Sequence, residues 1–308
     1  MGFGKGFGKT ILFGEHFVVY GLLGIPCALG SATTAKVERT SKPGYELVDE
    51  RPATPGYKET KQGEYTALIS RILEFMQVKA GLRITLGGDL VCASGVGASA
   101  ACAAALARAI NDEYKTGWNN EQINKAAFEG ETAGSGTPSG IDNTAAVYGG
   151  LLLFRKNLQG GENSIEVMKI KKPVEIVLGN TGKTSLTKEV VEDVRKLKAE
   201  KPDEINAVFE EYSRLAEDAK KAFQNFDLQK VGALMTRNHG LLQKINVSCK
   251  ELDELVETSL KAGAFGAKLT GTGRGGLMIA LTPGKELQEK VAKAIEAKGF
   301  ETTKTMIG

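Results

Sequence analysis

The sequence feature that most constrains this chain is a glycine loop that leads directly into a helix of small residues. The loop reads Gly95-Val96-Gly97-Ala98-Ser99-Ala100, and the alanine-rich pattern continues to residue 111. Glycines let backbone N–H groups turn towards a ligand, and the first turn of a helix leaves N–H donors that attract an anion. The pattern therefore predicts a phosphate-binding loop, with a simple packed turn as the alternative.

Two common nucleotide motifs do not fit the glycines of this chain. Gly95-x-Gly97-x-x-Ala100 matches a dinucleotide fingerprint, but that motif needs a strand that ends at its first glycine. The strand-like residues 82–86 end well before that point, and a second helical pattern follows the first. Gly8-Lys9-Thr10 ends like a Walker A motif, but Phe3 occupies the place of its first glycine. The prediction is an anion loop of neither type.

Length and charge narrow the class of protein. A chain of 308 residues can form two domains with cores of their own, and a net charge of +3 with mixed signs gives no nucleic-acid footprint. The longest apolar run, residues 100–107, is too short to span a membrane, and no secretory signal pattern is present. The four cysteines lack metal-ligand spacing, which is typical of reduced thiols. We expect a cytoplasmic enzyme that binds neither nucleic acid nor membrane.

Hydrophobic periodicity predicts an α+β fold, because strands and helices mix without a strict βαβ rhythm. The predicted strands are residues 9–13, 25–29, 35–39, 82–86, 151–154, 165–170, 174–178, 267–269, 277–281 and 301–305. The predicted helices are residues 65–78, 98–111, 121–132, 141–148, 187–199, 205–223, 228–244, 250–262 and 286–298. Residues 17–20 are placed among short strands and turns, and residues 51–63, rich in Pro and Gly, are predicted to be a surface loop. The domain boundary is predicted near residues 165–175, which gives domains of residues 1–168 and 169–308.

Three glycine-rich loops, at residues 95–99, 134–140 and 271–276, accompany a set of polar residues that one reaction explains. The polar residues are Lys9, Glu15, His16, Ser99, Glu131 and Asp142. Phosphoryl transfer needs a phosphate cradle, a metal held by a carboxylate and a hydroxyl, a group acting on the attacking oxygen, and a cation. Each of these parts has a candidate in the chain.

The residues that carry these loops resemble the three motifs of the GHMP kinases, in the same order and across nearly the whole chain. The motifs are Gly8-Lys9-Thr10-Ile11-Leu12-Phe13-Gly14-Glu15-His16, Gly95-Val96-Gly97-Ala98-Ser99-Ala100-Ala101 and Lys268-Leu269-Thr270-Gly271-Thr272-Gly273-Arg274-Gly275-Gly276. The chain departs from the family at Phe7, where proline is common, at Ala98, where a second serine is usual, and at Arg274, where glycine is common. The resemblance implies an N-terminal ATP-binding half like ribosomal protein S5 domain 2 and a ferredoxin-like C-terminal half.

The resemblance also implies an activity, namely the ATP-dependent phosphorylation of mevalonate in isoprenoid biosynthesis, by direct in-line transfer with Mg²⁺. Asp142 and Lys9 would be catalytic, Ser99 and Glu131 would hold the metal, and Glu15, His16, Gly140 and Thr270 would bind the substrate. ATP would lie on Ala93, Ser94, Gly95, Val96, Gly97, Ala98 and Ser99. Each role has an ordinary structural alternative: a solvated lysine, a helix-capping aspartate, an exposed glutamate or a buried structural histidine.

Two other functions stay open at this point. A sister kinase acting on phosphomevalonate would need cations near its substrate, and the substrate-side segment 134–143 contains no Lys or Arg. A catalytically silent relative that only binds ligand is disfavoured by the joint presence of Lys9, Glu131 and Asp142. A homodimer is a further expectation. Arg274 is either a cation near the substrate or a solvated loop residue, and residues 179–185 have no assigned role.

Overall fold

The structure is a computed structural model that describes residues 1–92, 95–135, 138–183 and 185–308, without the side chain of Ser135. The described chain divides into two compact units. The first unit consists of Met1–Lys9 and Ala28–Gly149, and the second consists of Thr10–Cys27 and Gly150–Gly308. The chain therefore passes from the first unit to the second between Lys9 and Thr10.

The first unit combines strands with four helices of the described chain. Its elements are β1 (Gly2–Phe13) up to Lys9, β2 (Ile25–Thr40) from Ala28, β3 (Tyr45–Asp49), α1 (Tyr57–Phe75), β4 (Gly81–Gly88), α2 (Ala98–Tyr114), α3 (Asn120–Ser135) and α4 (Ile141–Tyr148). Strand β4 pairs with β2 in antiparallel register, from Thr33 opposite Gly88 to Thr40 opposite Gly81. It pairs with β3 in parallel register.

The helices of the first unit share a core built around α2. Residues Ala100 to Ala107 of α2 are all completely buried. They pack with Leu68 and Ile72 of α1, with Ile84 of β4 and with other residues of the same apolar cluster. Alanine side chains let backbones approach closely, so a helix buried on all sides fits between its neighbours. The core thus fixes the N-terminal end of α2, where the glycine loop ends.

Alternating glycines place strand β1 flat against α2. A Cβ atom on Gly2, Gly4 or Gly6 would lie 2.2, 2.0 or 2.1 Å from a carbonyl oxygen of α2, on Ala109, Ala105 and Ala101 respectively. Real Cβ atoms never approach a carbonyl so closely, so only glycine fits these three positions. The strand is therefore held at backbone distance along about two turns of the helix, from Ala109 to Ala101, as it approaches Lys9.

The second unit begins with the last residues of β1, continues through a short helix and then contains a second set of strands and helices. It contains the 3-10 helix Glu15–Tyr20, β5 (Leu151–Arg155), β6 (Ser164–Met168), β7 (Val174–Asn180), α5 (Thr187–Glu200), α6 (Pro202–Gln224), α7 (Leu228–Lys244), α8 (Lys250–Lys261), β8 (Gly266–Thr270), β9 (Leu277–Leu281), α9 (Lys285–Glu296) and β10 (Glu301–Ile307). Strand β7 lies antiparallel to both β9 and β10, and β8 pairs with β9 in a hairpin. The hairpin turn is the third glycine loop.

An aromatic contact fixes the 3-10 helix inside the second unit. Phe17 stacks on Tyr212 of α6 with ring centroids 3.9 Å apart, and it meets Phe209 edge-on at 5.3 Å. The buried Tyr212 hydroxyl donates to the carbonyl of Leu23 at 2.7 Å. Large aromatic faces and a satisfied hydroxyl make this a strong local anchor. The anchor holds the residues that precede Phe17, Glu15 and His16, in one place.

The structure confirms the α+β prediction and corrects several local predictions. Residues 51–63 are not a surface loop, because α1 begins at Tyr57 and the Arg51 side chain is buried. Residues 17–20 belong to a 3-10 helix, and the predicted strands 25–29 and 35–39 are one continuous strand, β2. The boundary at residue 168 stays a prediction. No helix within the described ranges combines the length and apolar character needed to cross a bilayer.

Candidate active site

The phosphate-loop residues of the first unit adopt backbone conformations that only glycine accepts easily. Gly95 has φ 90° and Gly97 has φ 69°, and α2 begins at the next residue. The N–H of Lys9 donates to the carbonyl of Val96 at 2.7 Å, so strand β1 and the loop are joined. A Cβ on Gly97 would lie 3.2 Å from the Cβ of Lys9. Gly97 therefore allows the lysine to lie directly against the loop. Ala93 and Ser94, predicted to bind ATP, lie outside the described residues.

Lys9 and Asp142, the predicted catalytic pair, form an ion pair in the first unit. The Nζ of Lys9 lies 3.0 Å from Oδ1 of Asp142. The Lys9 side chain is 10% exposed and that of Asp142 is 38% exposed, so the carboxylate can be reached by a substrate while the ammonium is largely covered. Asp142 occupies the first turn of α4, where the helix dipole favours a negative charge. Gly140 precedes this helix with φ 87°.

Helix α4 is fixed relative to α3 by a short amide network. The side-chain amide of Asn143 donates to Asn124 at 2.8 Å, and Asn124 donates to the hydroxyl of Thr144 at 3.3 Å. Asn119 caps α3, because its side chain accepts from the N–H of Gln122 at 3.0 Å and the Gln122 side chain accepts from the N–H of Asn119. These contacts orient the helices that carry Glu131 and Asp142.

Ser99 and Glu131, the predicted metal ligands, are directly hydrogen-bonded. The hydroxyl of Ser99 donates to Oε1 of Glu131 at 2.5 Å. Burial raises the pKa of Glu131 to about 7, the hydrogen bond from Ser99 opposes this rise, and the negative charge of Asp142 adds to it. Lys9 also acts on Glu131 and lowers its pKa. The four predicted residues Lys9, Ser99, Glu131 and Asp142 thus form one electrostatic cluster in the first unit.

The predicted substrate residues of the second unit lie at the start of the 3-10 helix and at the end of β8, where the third glycine loop begins. Glu15 is ion-paired with Lys268 of β8, and both side chains are fully buried. The Nε2 of His16 lies 2.7 Å from the carbonyl oxygen of Thr272. Oε2 of Glu15 and Nδ1 of His16 have no hydrogen-bond partner among the described residues. The Glu15 carboxyl is fully enclosed, and the side-chain amide of Asn238 helps to lower its pKa, whereas Nδ1 of His16 is left as a buried ring nitrogen without a partner among the described residues.

Thr270 and Arg274 are held by contacts within the second unit. The hydroxyl of Thr270 accepts from the N–H of Ile11 at 3.1 Å and donates to the carbonyl of the same residue at 2.9 Å. Arg274 donates to Oδ2 of Asp193 at 2.6 Å and to the carbonyl of Asn246 at 2.9 Å. The guanidinium of Arg274 is thus paired, although its side chain remains 33% exposed. Burial is the main cause of the lowered pKa of His16; the hydrogen bond to Thr272 raises this pKa, and the charge of Arg274 lowers it further.

Residues 181–187 support the third glycine loop, which gives this segment a structural role. The hydroxyl of Ser185 donates to the carbonyl of Gly273 at 2.5 Å, and the N–H of Gly276 donates to the carbonyl of Lys183 at 2.8 Å. Thr187 and Thr272 share a hydrogen bond between their hydroxyls at 2.7 Å. The sequence alone assigned no role to residues 179–185, of which Thr184 lies outside the described residues.

Lys268, beside Glu15, is a residue to which the sequence alone assigned no role. It lies in a strand whose five residues, Gly266–Thr270, are all buried. A lysine in such a strand must have a charged or polar partner, because an unpaired buried ammonium is very unfavourable. That rule would have predicted a buried acid opposite Lys268, but it would not have identified Glu15.

Comparisons with known proteins identify the family to which the chain belongs. The model of the GHMP kinases N terminal domain matches residues 67–150, and the model GHMP kinases C terminal matches residues 219–301. Mevalonate kinases of Pyrococcus horikoshii and Thermococcus sibiricus are 35% and 34% identical over 94% of this chain and 91% of their own lengths. The structure of L. major mevalonate kinase in complex with R-mevalonate superimposes with a TM-score of 0.94 at 37% identity, covering 100% of this chain and 96% of that one.

The fold and the two matching family models define a small-molecule kinase. The chain belongs to the GHMP kinase family, within its branch of mevalonate kinases.

Proposed function

We propose that the chain transfers the γ-phosphoryl group of ATP to the primary hydroxyl of R-mevalonate and forms 5-phosphomevalonate for isoprenoid biosynthesis. The observation that carries the proposal is the ion pair of Lys9 and Asp142, 3.0 Å apart and bonded through the Lys9 backbone to the phosphate loop. The similarity to the L. major enzyme, whose structure contains R-mevalonate, supports the choice of substrate.

Asp142 and Lys9 supply the chemistry of the attacking oxygen. The Asp142 carboxylate accepts the proton of the substrate hydroxyl, and the oxygen attacks the γ-phosphorus. The bond from that phosphorus to the β–γ bridging oxygen breaks, and ADP leaves with the electron pair. The ammonium of Lys9 stabilises the carboxylate before the transfer and the developing negative charge during it. Direct in-line transfer needs no covalent intermediate on the protein.

The residues of the first unit fit Mg²⁺. No group of three His, Cys, Asp or Glu side chains is poised to bind a metal in the described part of the chain. Mg²⁺ is instead commonly held by one or two protein oxygens together with phosphate oxygens and water, and Ser99 with Glu131 offers such a pair. Glu131 and Ser99 would hold the ion once the carboxyl is ionised and the hydrogen bond between them opens. When bound, Mg²⁺ neutralises charge on the nucleotide phosphates.

The loop and the first turn of α2 are proposed to bind the ATP phosphates. The left-handed conformations of Gly95 and Gly97 and the free N–H groups at a helix N-terminus suit a polyanion. The proposed contacts are Ala93, Ser94, Gly95, Val96, Gly97, Ala98 and Ser99. The buried position of Val96 and Ala98 favours contact through their backbone, because their side chains belong to the core.

Glu15, His16, Gly140 and Thr270 are proposed to bind the substrate. The buried Oε2 of Glu15 and Nδ1 of His16 suit hydroxyl donors better than a phosphate dianion. The segments 14–21 and 134–143 contain no Lys or Arg, and Arg274 is engaged by Asp193. An acceptor that already carries a phosphate would therefore lack the cationic partners that it needs in a binding site. These contacts favour mevalonate over phosphomevalonate.

A comparison of the two acceptors tests the proposal. The purified protein is assayed with Mg-ATP and either R-mevalonate or 5-phosphomevalonate, with ADP release and the phosphorylated product both measured. The expected result is a kcat/KM for mevalonate at least about a hundredfold higher, equivalent to about 2.7 kcal/mol of transition-state discrimination. The Asp142→Asn protein, prepared in parallel, controls for contaminating kinases. A higher kcat/KM for phosphomevalonate would reject the assignment.

A cytoplasmic location and a homodimer remain predictions.

A further inference from the structure

Lys268 and Glu15 form an ion pair that is completely enclosed in the second unit. The side chains of both residues are 0% exposed, and the Lys268 ammonium also donates to the carbonyl of Leu269 at 2.5 Å. Burial raises the pKa of Glu15 and lowers that of Lys268, and their mutual attraction opposes both changes. Two well-packed apolar side chains would often be as stable as such a pair. The pair is therefore poorly explained by stability alone.

The pair is one of two adjacent links between the same two segments. Glu15 connects the start of the 3-10 helix to β8, through Lys268. The next residue, His16, connects the same helix to the loop after β8, because its Nε2 lies 2.7 Å from the carbonyl of Thr272. Glu15 and His16 are neighbours in the chain. Holding the Glu15 side chain in place therefore also limits the positions that the His16 ring can take.

The second link fixes the tautomer of His16. A carbonyl oxygen can only accept, so Nε2 carries the hydrogen and donates it to Thr272. Burial lowers the pKa of His16, which keeps the ring neutral. Nδ1 is then an acceptor with a lone pair, and it is buried without a partner among the described residues. The ring is prepared to accept one hydrogen bond from a hydroxyl group of a ligand.

We infer that Lys268 is a positioning residue for substrate binding, whose ion pair with Glu15 holds His16 in the Nε2–H tautomer with Nδ1 directed as an acceptor for a substrate hydroxyl. This inference rests on the proposed function, which supplies a polyhydroxy acceptor. Lys268 acts through Glu15 and His16 and does not touch the substrate. Its removal therefore changes the recognition of mevalonate and leaves the nucleotide-binding residues of the first unit intact.

The test compares the double variant Glu15→Gln/Lys268→Met with the single variant Glu15→Gln. The double variant removes both charges and so avoids leaving one buried charge uncompensated. In the single variant Lys268 can lose its proton, which leaves no uncompensated charge, and its neutral amine can still donate to the new amide oxygen. We expect the KM for mevalonate to rise at least tenfold in the double variant compared with the single one, with the KM for ATP changed less than threefold. Equal mevalonate KM values in the two variants would overturn the inference.

A spectroscopic measurement reports on His16 without any substrate. The chain has only two histidines, so ¹⁵N-histidine labelling gives signals from His16 and His239 alone. In wild type both rings are expected as neutral Nε2–H tautomers, because Nδ1 of His239 accepts from the N–H of Leu269. In the double variant the His16 signals should move towards a mixture of tautomers. Unchanged His16 signals in a folded double variant would contradict the inference.

Matched variants separate a local effect from loss of folding. Arg155→Met/Glu217→Gln removes another ion pair of the second unit, one that is exposed on both sides, and should leave the mevalonate KM and the His16 signals unchanged. If Glu15→Gln/Lys268→Met does not fold, Glu15→Gln/Lys268→Gln takes its place, with an expected rise in KM of at least threefold. A wild-type protein inactive on mevalonate would reject the proposed function, while the tautomer measurement would still decide the role of Lys268.

Discussion

Ser99 and Glu131, 32 positions apart in the sequence, meet in a hydrogen bond of 2.5 Å beside the phosphate loop. The serine lies in the first turn of a helix that the alanine-rich core fixes, and the glutamate lies near the end of the next helix. Their contact places a hydroxyl and a carboxyl with a pKa near neutrality at one point.

Asp142→Asn should remove most of the catalytic rate. The amide cannot accept the substrate proton, so kcat should fall by about 10²–10⁴ while the KM for ATP stays within about threefold. Steady-state kinetics with mevalonate and ATP varied separately measures both. Asp218→Asn, an exposed change on α6, is the control. A kcat above about a tenth of the wild-type value would remove the base role from Asp142.

Ser99→Ala and Glu131→Gln should each raise the Mg²⁺ concentration needed for half-maximal rate. Each variant removes one of the two oxygen ligands proposed for the ion, and a tenfold increase corresponds to about 1.4 kcal/mol. The measurement is a Mg²⁺ titration at fixed ATP. Glu129→Gln lies on the same helix, where the glutamate is paired with Arg71, and should leave the titration unchanged. Unaltered Mg²⁺ dependence in both site variants would show that other groups hold the metal.

Glu131 should make the stability of the protein depend on pH. Its pKa is raised from 4.5 to about 7 on folding, so the folded state binds the proton more tightly than the unfolded state. Wild type should therefore lose stability as pH rises from about 4.5 to 7, by up to about 3 kcal/mol at about 1.4 kcal/mol per pH unit. Glu131→Gln cannot ionise and should lack this loss.

Urea denaturation at several pH values, without nucleotide or Mg²⁺, measures this difference. The stability of Glu131→Gln relative to wild type should increase between pH 4.5 and 7 and stay level above pH 7. A relative stability that does not change with pH would mean that Glu131 ionises normally in the folded protein.

Gly97→Ala should be more damaging than Gly95→Ala. Both residues have positive φ, so an alanine at either position is strained by about 1–2 kcal/mol. Only at position 97 does the new Cβ also press on Lys9, at 3.2 Å, whereas at position 95 it would have no neighbour within 4 Å among the described residues outside its own chain neighbours. We expect a larger loss of stability and of kcat for Gly97→Ala, measured by denaturation and by steady-state kinetics. Equal effects would mean that the contact with Lys9 is unimportant.

Arg274→Ala should change the kcat/KM for mevalonate by less than about threefold. Its guanidinium is already bound to Asp193 and to the carbonyl of Asn246, so it is not needed as a substrate ligand. Parallel assays with mevalonate and phosphomevalonate measure this. A loss above tenfold with either acceptor would place Arg274 on the substrate.

The motif residues of the first unit were predictable because each loop carries its own chemical signal. Glycines, a helix start and a following carboxylate predict an anion and metal site there, and the helix that begins at Ile141 matches its predicted bounds to the residue. The sequence could not show which side chains meet across long separations. The pair of Glu15 and Lys268 is 253 positions apart, and only the folded chain brings it together.

The local errors have a physical cause as well. The apolar pattern predicts a strand over residues 9–13, but strand β1 starts at Gly2, although glycine disfavours strands. Tertiary contact with α2 outweighs that propensity. Arg51 was placed in a loop because Pro52 and Pro55 follow, but its guanidinium binds both oxygens of Asp49 and stacks on Tyr65, 4.4 Å from the ring centroid. Proline marks a turn and says nothing about burial.

The alternating glycines of β1 affect how the results of mutagenesis on this chain should be interpreted. Gly2, Gly4 and Gly6 exclude every side chain, while Phe3 and Lys5 between them are exposed. A saturation mutagenesis scan would therefore show tolerance that alternates at every second residue just before Lys9. A series of glycines that tolerate no substitution is also typical of a nucleotide-binding loop. Here the cause is only the close packing of a strand on a helix. Loss of function on substitution at these positions should be attributed to packing, and loss of function on substitution at Gly97 to the candidate active site.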